Sequence, residues 1–183
     1  ADGTSGEVEL KSNLENTARD GLMATPARLI VPADGMQGTR LLYLGERDKE
    51  RYFRVRFVPV MPEPEDDFAV SSDEREAYKT NLSAGVTVLA GFGTVFFVRP
   101  KVTRFATRID DQPTEYGMHN DGNSVVVVDQ FKDCASDGAQ ECLPVTKNHI
   151  LPGRAFSFPK QAGRTYRFTL VEGSEKKPYE VKG

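Results

Sequence analysis

Few residues in this sequence could make or break bonds. The two cysteines, Cys134 and Cys142, stand in DCASDGAQEC with seven polar, small or glycine residues between them. Two cysteines across a turn-like loop favour a local disulfide and an oxidising compartment, with reduced thiols as the other reading. A zinc site would need nitrogen ligands from His119 and His149, whose spacing fits no usual zinc pattern. No Gly-x-Ser-x-Gly elbow, phosphate loop, dinucleotide fingerprint or His-Glu-x-x-His is present. The carboxylates Asp110 and Asp111, and the group Glu63, Glu65, Asp66 and Asp67, fall in turn and loop sequence, where they read as solvated surface. Asn81-Leu82-Ser83 matches a glycosylation acceptor, a weak signal at three residues. The expectation is a protein with no enzymatic activity, no cofactor and no metal.

What remains is the chemistry of the backbone. From Leu82 every second residue reads Leu82, Ala84, Val86, Val88, Ala90, Phe92, Thr94, Phe96, Val98, all apolar except Thr94. The other parity begins Ser83, Gly85, Thr87, Leu89, Gly91, Gly93, mostly small or polar. Period-two alternation predicts a long β-strand over 82–98 with one apolar face. Arg99-Pro100 ends it, because proline has no N–H to donate to a ladder. Such a strand is either the spine of a β-sandwich or a ribbon offered to another chain.

Composition bounds the rest. The 183 residues can hold one large domain or two small ones, and an apolar fraction of 38% can build a core. A net charge of −3 does not suggest a nucleic-acid footprint or a basic membrane patch. No apolar run approaches the roughly 20 residues of a spanning helix, so no membrane insertion is expected. The sequence starts at ADGTSG without a leader-like segment.

Turn signals divide the chain into short strands. Glu7–Leu10 alternates briefly, as a short edge strand would. Met23–Pro32 has prolines towards both ends of a β-rich piece, and Thr39–Leu44 reads as a strand. In Arg51–Val60, Phe53, Val55 and Phe57 share a face with Arg51, and Tyr52, Arg54, Arg56 and Val58 share the other. Met61–Thr80 has loop composition. Beyond Arg99-Pro100-Lys101, strands are expected at Val102–Ile109, Glu115–His119, Ser124–Phe131, Arg154–Phe158 and Arg164–Val171. Asp110–Pro113 and Asn120–Asn123 read as turns, His149–Gly153 as a corner and Gly173–Gly183 as a charged tail. No amphipathic helix stands out. The class is all-β, with two sandwich domains over 1–98 and 99–183.

Several pieces in order resemble the periplasmic chaperones of the chaperone–usher pilus pathway, in the branch that serves colonisation-factor-type fimbriae and the common pilus. Gly21–Ala33, GLMATPARLIVPA, is similar to the segment ending "TP-x-x-L-x-L-P-A". Thr39-Arg40-Leu41 resembles the "I-R" strand, Asp48–Val55 resembles "D-x-E-R-Y-Y-R-V", and Phe96–Pro100 resembles the "Y-R-P" ending of the family's long strand. Asn120–Asn123 resembles "N-x-G-N", and the two-cysteine loop followed by Leu151-Pro152-Gly153 also fits.

The resemblance implies two immunoglobulin-like β-sandwich domains in an L shape, and residence in the periplasm. By that resemblance the first domain is expected to be incomplete at its start, with its opening strands falling before Ala1. The implied partners are pilus subunits and an outer-membrane usher, with self-association through open edges, and no nucleic acid. The implied mechanism is strand donation: Leu82, Ala84, Val86, Val88, Ala90 and Phe92 would plug the groove of a subunit that lacks its own final strand. The family grips the subunit's C-terminal carboxylate with an arginine and a lysine. Val95 stands where the better-known branch has that lysine, four residues before Arg99. Arg40, Arg54 and Arg99 are therefore the candidate cleft bases. The alternative is a structural pilin or adhesin domain, which would carry an N-terminal extension of alternating apolar residues. Ala1–Asp20 shows no such extension.

Overall fold

The computed structural model describes residues 21–29, 31, 34–60, 71–83, 91–135 and 142–183. The chain divides into two compact units, Tyr52–Phe97 on one hand and the residues up to Arg51 with Val98–Gly183 on the other.

The second half of the chain builds a sandwich from two antiparallel sheets. One sheet has the order β5 (Thr107–Asp111), β6 (Glu115–Asn120), β9 (Ala155–Pro159). The other has the order β11 (Glu175–Lys182), β10 (Arg164–Glu172), β7 (Val126–Ala135), β8 (Thr146–Ile150). Alternation decides which residues face in. Along β10, Tyr166, Phe168 and Leu170 are buried while Arg167 between them is exposed. They meet Tyr116, Met118 and Phe158 of the facing sheet with Val126, Val128, Ile150 and Val181 in one core. Rings fill much of it: Phe158 lies 4.6 Å from Tyr166 and 5.1 Å from Phe131, centroid to centroid.

The apolar run at the start of β7 does not alternate, and its geometry explains how it still fits. Gln130 has φ 52°, and the register with both neighbouring strands shifts around it. This is a β-bulge. Val126 and Val128 point inward before it, and Phe131 packs on the core after it. Without the extra residue Gln130 would face the core and Phe131 the solvent.

Asn120 ties the end of β6 to the turn expected at 120–123. It is fully buried, and its side-chain amide donates to the carbonyls of Ser124 at 2.8 Å and Ile150 at 2.7 Å, while Oδ1 accepts from Gly122 N at 2.9 Å. A Cβ on Gly122 would lie 2.6 Å from the Arg104 carbonyl, so only glycine fits that turn. The disulfide joins Cys134 to Cys142, as one of the two readings of the cysteine loop expected.

In the first half, β1 (Leu22–Thr25) pairs with β2 (Arg40–Tyr43), and β3 (Arg51–Phe57) pairs with β4 (Phe92–Val98). The helix α1 (Ser72–Ser83) stands between β3 and β4 in the chain.

Several expectations change here. The strand predicted over 82–98 begins at Phe92. Leu82 and Ser83 form the end of α1, and residues 84–90 lie outside the described residues. The loop predicted over Met61–Thr80 is helical from Ser72, and 61–70 lies outside the described residues. A capping box explains the helix. Ser71 Oγ accepts from Glu74 N at 3.3 Å, and Glu74 Oε2 accepts from Ser71 N at 3.0 Å. The hydrogen bonds from Ser71 hold the Glu74 carboxyl below its usual range. Strand β5 starts at Thr107 and runs through Asp111, so the predicted turn is displaced towards Pro113. The charged tail is the edge strand β11, and β8 was hidden in polar sequence. The Glu7–Leu10 strand lies outside the described residues.

One consequence can be read by titration. Burial, with Tyr179 and Asp111 adding to it, pushes the Tyr116 phenol up to about 12. An unfolded tyrosine ionises near pH ~10. The fold favours the neutral phenol, so this contribution is whole below pH ~10 and is lost as pH rises towards the folded value. Ultraviolet absorbance should show one phenol that ionises only near pH 12 in wild type. That step should be absent in Tyr116→Phe.

Candidate functional site: the β3–β4 ribbon and its root

Contacts across the ribbon establish which faces pair. The Tyr52 and Phe97 rings meet edge-on at 5.7 Å, and a Cβ on Gly93 would lie 3.9 Å from Arg56 Cγ. Opposed residues therefore pair 52 with 97 and 56 with 93, which makes the strands antiparallel. Tyr52, Arg54 and Arg56 share one face with Gly93, Val95 and Phe97. Phe53, Val55 and Phe57 share the other with Phe92, Thr94, Phe96 and Val98. This second face carries the apolar parity seen in the sequence. Val55 and Val98 on it are buried, but Phe57 is 41% exposed and Phe92 73%. On the first face Val95 is 53% exposed, and past the end of β3 both Val58 and Val60 are exposed.

The outer edge of β4 differs from every edge of the sandwich. Among the described residues β4 pairs with β3 alone. Its sequence, FGTVFFV, has neither a charge nor a proline. Edge strand β5 carries Arg108, Asp110 and Asp111; β8 carries Lys147; β9 ends at Pro159; and β11 carries Lys176, Lys177 and Pro178. Charges and prolines discourage a further strand from adding, and β4 has none of them.

The six donor positions expected from sequence divide accordingly. Phe92 lies on the apolar face of β4, Leu82 is in the last turn of α1, and Ala84, Val86, Val88 and Ala90 lie outside the described residues. The three arginines are dispersed. Arg40 is exposed on β2 opposite Thr25, and Arg54 is exposed on β3. Arg99 follows β4, with its guanidinium carbon 5.5 Å from the centre of the Phe105 ring, a cation–π contact. No described contact brings Arg40 and Arg99 together.

The root of the ribbon holds a residue that sequence alone does not single out. Glu50, directly before β3, is 7% exposed. Its carboxylate accepts from Val125 N, with both oxygens at 2.9 Å, and from Ser124 Oγ. No basic side chain pairs with it among the described residues. The neighbouring segment is stitched as well: Arg47 Nε donates to the Arg99 carbonyl at 2.9 Å, and Lys101 N donates to the Arg47 carbonyl at 2.8 Å. The residues entering β3 and those leaving β4 are thus fastened to each other and to the loop before β7. The one sequence signal for Glu50 is its place in the Asp48–Val55 motif, and its role becomes visible only with its partners, 74 and 75 residues away.

Removing this carboxylate should be costly. Glu50→Ala leaves the Val125 N–H and the Ser124 hydroxyl buried without their acceptor, a loss of about 2–4 kcal/mol. Thermal unfolding should show the drop, and Glu50→Gln, which keeps one acceptor oxygen, should recover part of it.

No family model matches the chain. It is 30% identical over 161 residues to the "Probable fimbrial chaperone EcpB" of Klebsiella pneumoniae subsp. pneumoniae, covering 86% of this chain and 60% of that one. It is 29% identical over 161 residues to the protein of the same name in Escherichia coli O18:K1:H7, covering 85% and 65%. The chain therefore spans about 60 to 65% of the length of these curated relatives. Among solved structures, the class 5 fimbriae chaperone CfaA aligns with a TM-score of 0.48 and 21% identity, over 90% of this chain and 74% of that one. A chaperone–tip adhesin complex of CFA/I fimbriae biogenesis aligns with a TM-score of 0.43 and 21% identity. The resemblance to fimbrial chaperones carried by the short motifs thus extends over most of this sequence.

Proposed function

We propose that this chain is a chaperone of pilus assembly that works by lending backbone to an unfinished subunit. The observation that carries the reading is the unblunted edge of β4. It has no charge and no proline, β3 is its one partner among the described residues, and exposed Phe92 and Val95 lie along it. The similarity to fimbrial chaperones supports the same reading. A strand added to this edge would gain a full row of backbone hydrogen bonds, and period-two side chains would set its register.

In this reading the donor runs from Ala84 through Val86, Val88 and Ala90 into Phe92 and β4, and it starts after α1 rather than at Leu82. The client is a pilus subunit whose missing strand leaves an apolar groove, which would aggregate if uncovered. Capture takes place in the periplasm, which agrees with the Cys134–Cys142 disulfide, and delivery is to an outer-membrane usher. The domains of this reading are 1–98 and 99–183, both immunoglobulin-like. Of the three arginines proposed to receive the client's C-terminal carboxylate, Arg54 lies on the ribbon itself.

Charging the donor row tests this. Val88→Glu, and separately Phe92→Asp, would place a carboxylate in an apolar groove at a cost of several kcal/mol. Co-purification with a subunit that lacks its final strand should fall at least a hundredfold. Near-UV circular dichroism of the sandwich should stay unchanged. Undiminished capture by both variants would end the strand-donation reading.

A further inference from the structure

The net charge of −3 conceals a segregation that only the register reveals. On the outer face of β10, Arg167 lies opposite Lys132 of β7 and Glu180 of β11. Two residues along each way, Thr165 lies opposite Lys182 and Thr169 opposite Asp129 and Pro178, and Val171 lies opposite Lys176. Lys147 of β8 reaches the same face, with Nζ 3.1 Å from Asp129 Oδ1. The outer surface of the four-stranded sheet thus carries the cations Lys132, Lys147, Arg167, Lys176 and Lys182 against two carboxylates. Both carboxylates are already engaged, Asp129 with Lys147 and Glu180 with Arg167 at 2.8 Å. Lys132, Lys176 and Lys182 make no direct salt bridge among the described residues, although the charge of Lys176 reaches Asp129 and that of Lys182 reaches Glu180.

The field of this face is collective. Strands lie ~4.8 Å apart and alternate residues ~7 Å apart, so Arg167 falls within about a Debye length (~8 Å at physiological salt) of both Lys132 and Lys182, while Lys176 extends the positive face further along β11. The Asp129 carboxyl is held below its usual range by the hydrogen bond from Lys147 and by the charges of Lys147 and Lys176. The outer face of the other sheet has the opposite balance, with Asp110 and Glu115 against Arg108, which is already paired with Asp121 at 3.1 Å.

We propose that the outer face of the β11–β10–β7–β8 sheet is a peripheral docking surface for a bilayer rich in anionic phospholipid. The cations of this face are mostly lysine, a residue depleted in the cores of protein–protein interfaces. Its outward rows hold no Phe, Tyr or Trp among the described residues, and the exposed imidazole of His149 is the one ring on which a nucleic-acid base could stack. Flexible lysines can each follow a fluid array of negative headgroups. The contact is electrostatic and reversible, without insertion, and it does not depend on strand donation.

Co-sedimentation of the full chain with vesicles tests the surface. Vesicles of phosphatidylglycerol mixed with phosphatidylcholine should bind the protein at low salt, and binding should vanish at high salt. Pure phosphatidylcholine should not bind it. Each lysine neutralised should weaken binding about fivefold, so the triple variant Lys132→Gln, Lys176→Gln, Lys182→Gln should bind about a hundredfold more weakly. Arg108→Gln on the opposite face should bind as wild type does. Unfolding midpoints would show that the variants remain folded. Three results would each overturn the proposal: no binding to anionic vesicles, equal binding to neutral ones, or undiminished binding of the triple variant. Salt-sensitive retention on an acidic protein, with vesicles ignored, would overturn it in favour of a protein partner. Capture of a subunit by the triple variant keeps this outcome separate from the β4 reading.

Discussion

A β-strand has hydrogen-bonding groups along both edges, and each must meet another strand, water or something that keeps strands away. The sandwich meets this constraint with pairing inside its sheets and with charge or proline at their margins. β4 meets it on one side with β3, and its other margin has no such guard among the described residues. The two halves of the chain thus treat the same backbone chemistry in opposite ways. The half with a finished core guards its margins, and the ribbon leaves one margin without charge or proline among the described residues.

The core is what makes the closed half stand alone. Its inward row along β10 meets aromatic rings from the facing sheet, and the bulge at Gln130 keeps β7 in phase with that core across a sequence that does not alternate. Asn120 satisfies three backbone groups at the end of β6, so the turn after it carries no buried polar debt there. Glu50 uses the same logic at the root of the ribbon, where a buried carboxylate is tolerated because neutral donors surround it.

How much was legible depended on whether a feature was local. β3, β6 and β10 follow from period-two alternation within a few residues, and so does the apolar parity continued by Phe92, Phe96 and Val98. The helix α1 was missed because its face is not amphipathic. Its one clear signal was the capping pair Ser71 and Glu74, three residues apart. β8 and β11 were missed because edge strands are made polar to keep partners off, and this erases the alternation that betrays a strand. The role of Glu50, visible in the sequence only as one position of the Asp48–Val55 motif, and the basic sheet face do not follow from local sequence. Each exists only when distant parts of the chain are placed in register.

The stitched neck formed by Arg47, Arg99 and Lys101 has a thermodynamic corollary. Residues 52–97 leave and return through points that are already held together, so the entropy of bringing their ends into proximity is spent once, by the folded unit. Folding within that excursion then costs only the entropy of its own residues. A longer or shorter excursion would therefore add little to the entropic cost of closing its ends, which grows only slowly with loop length.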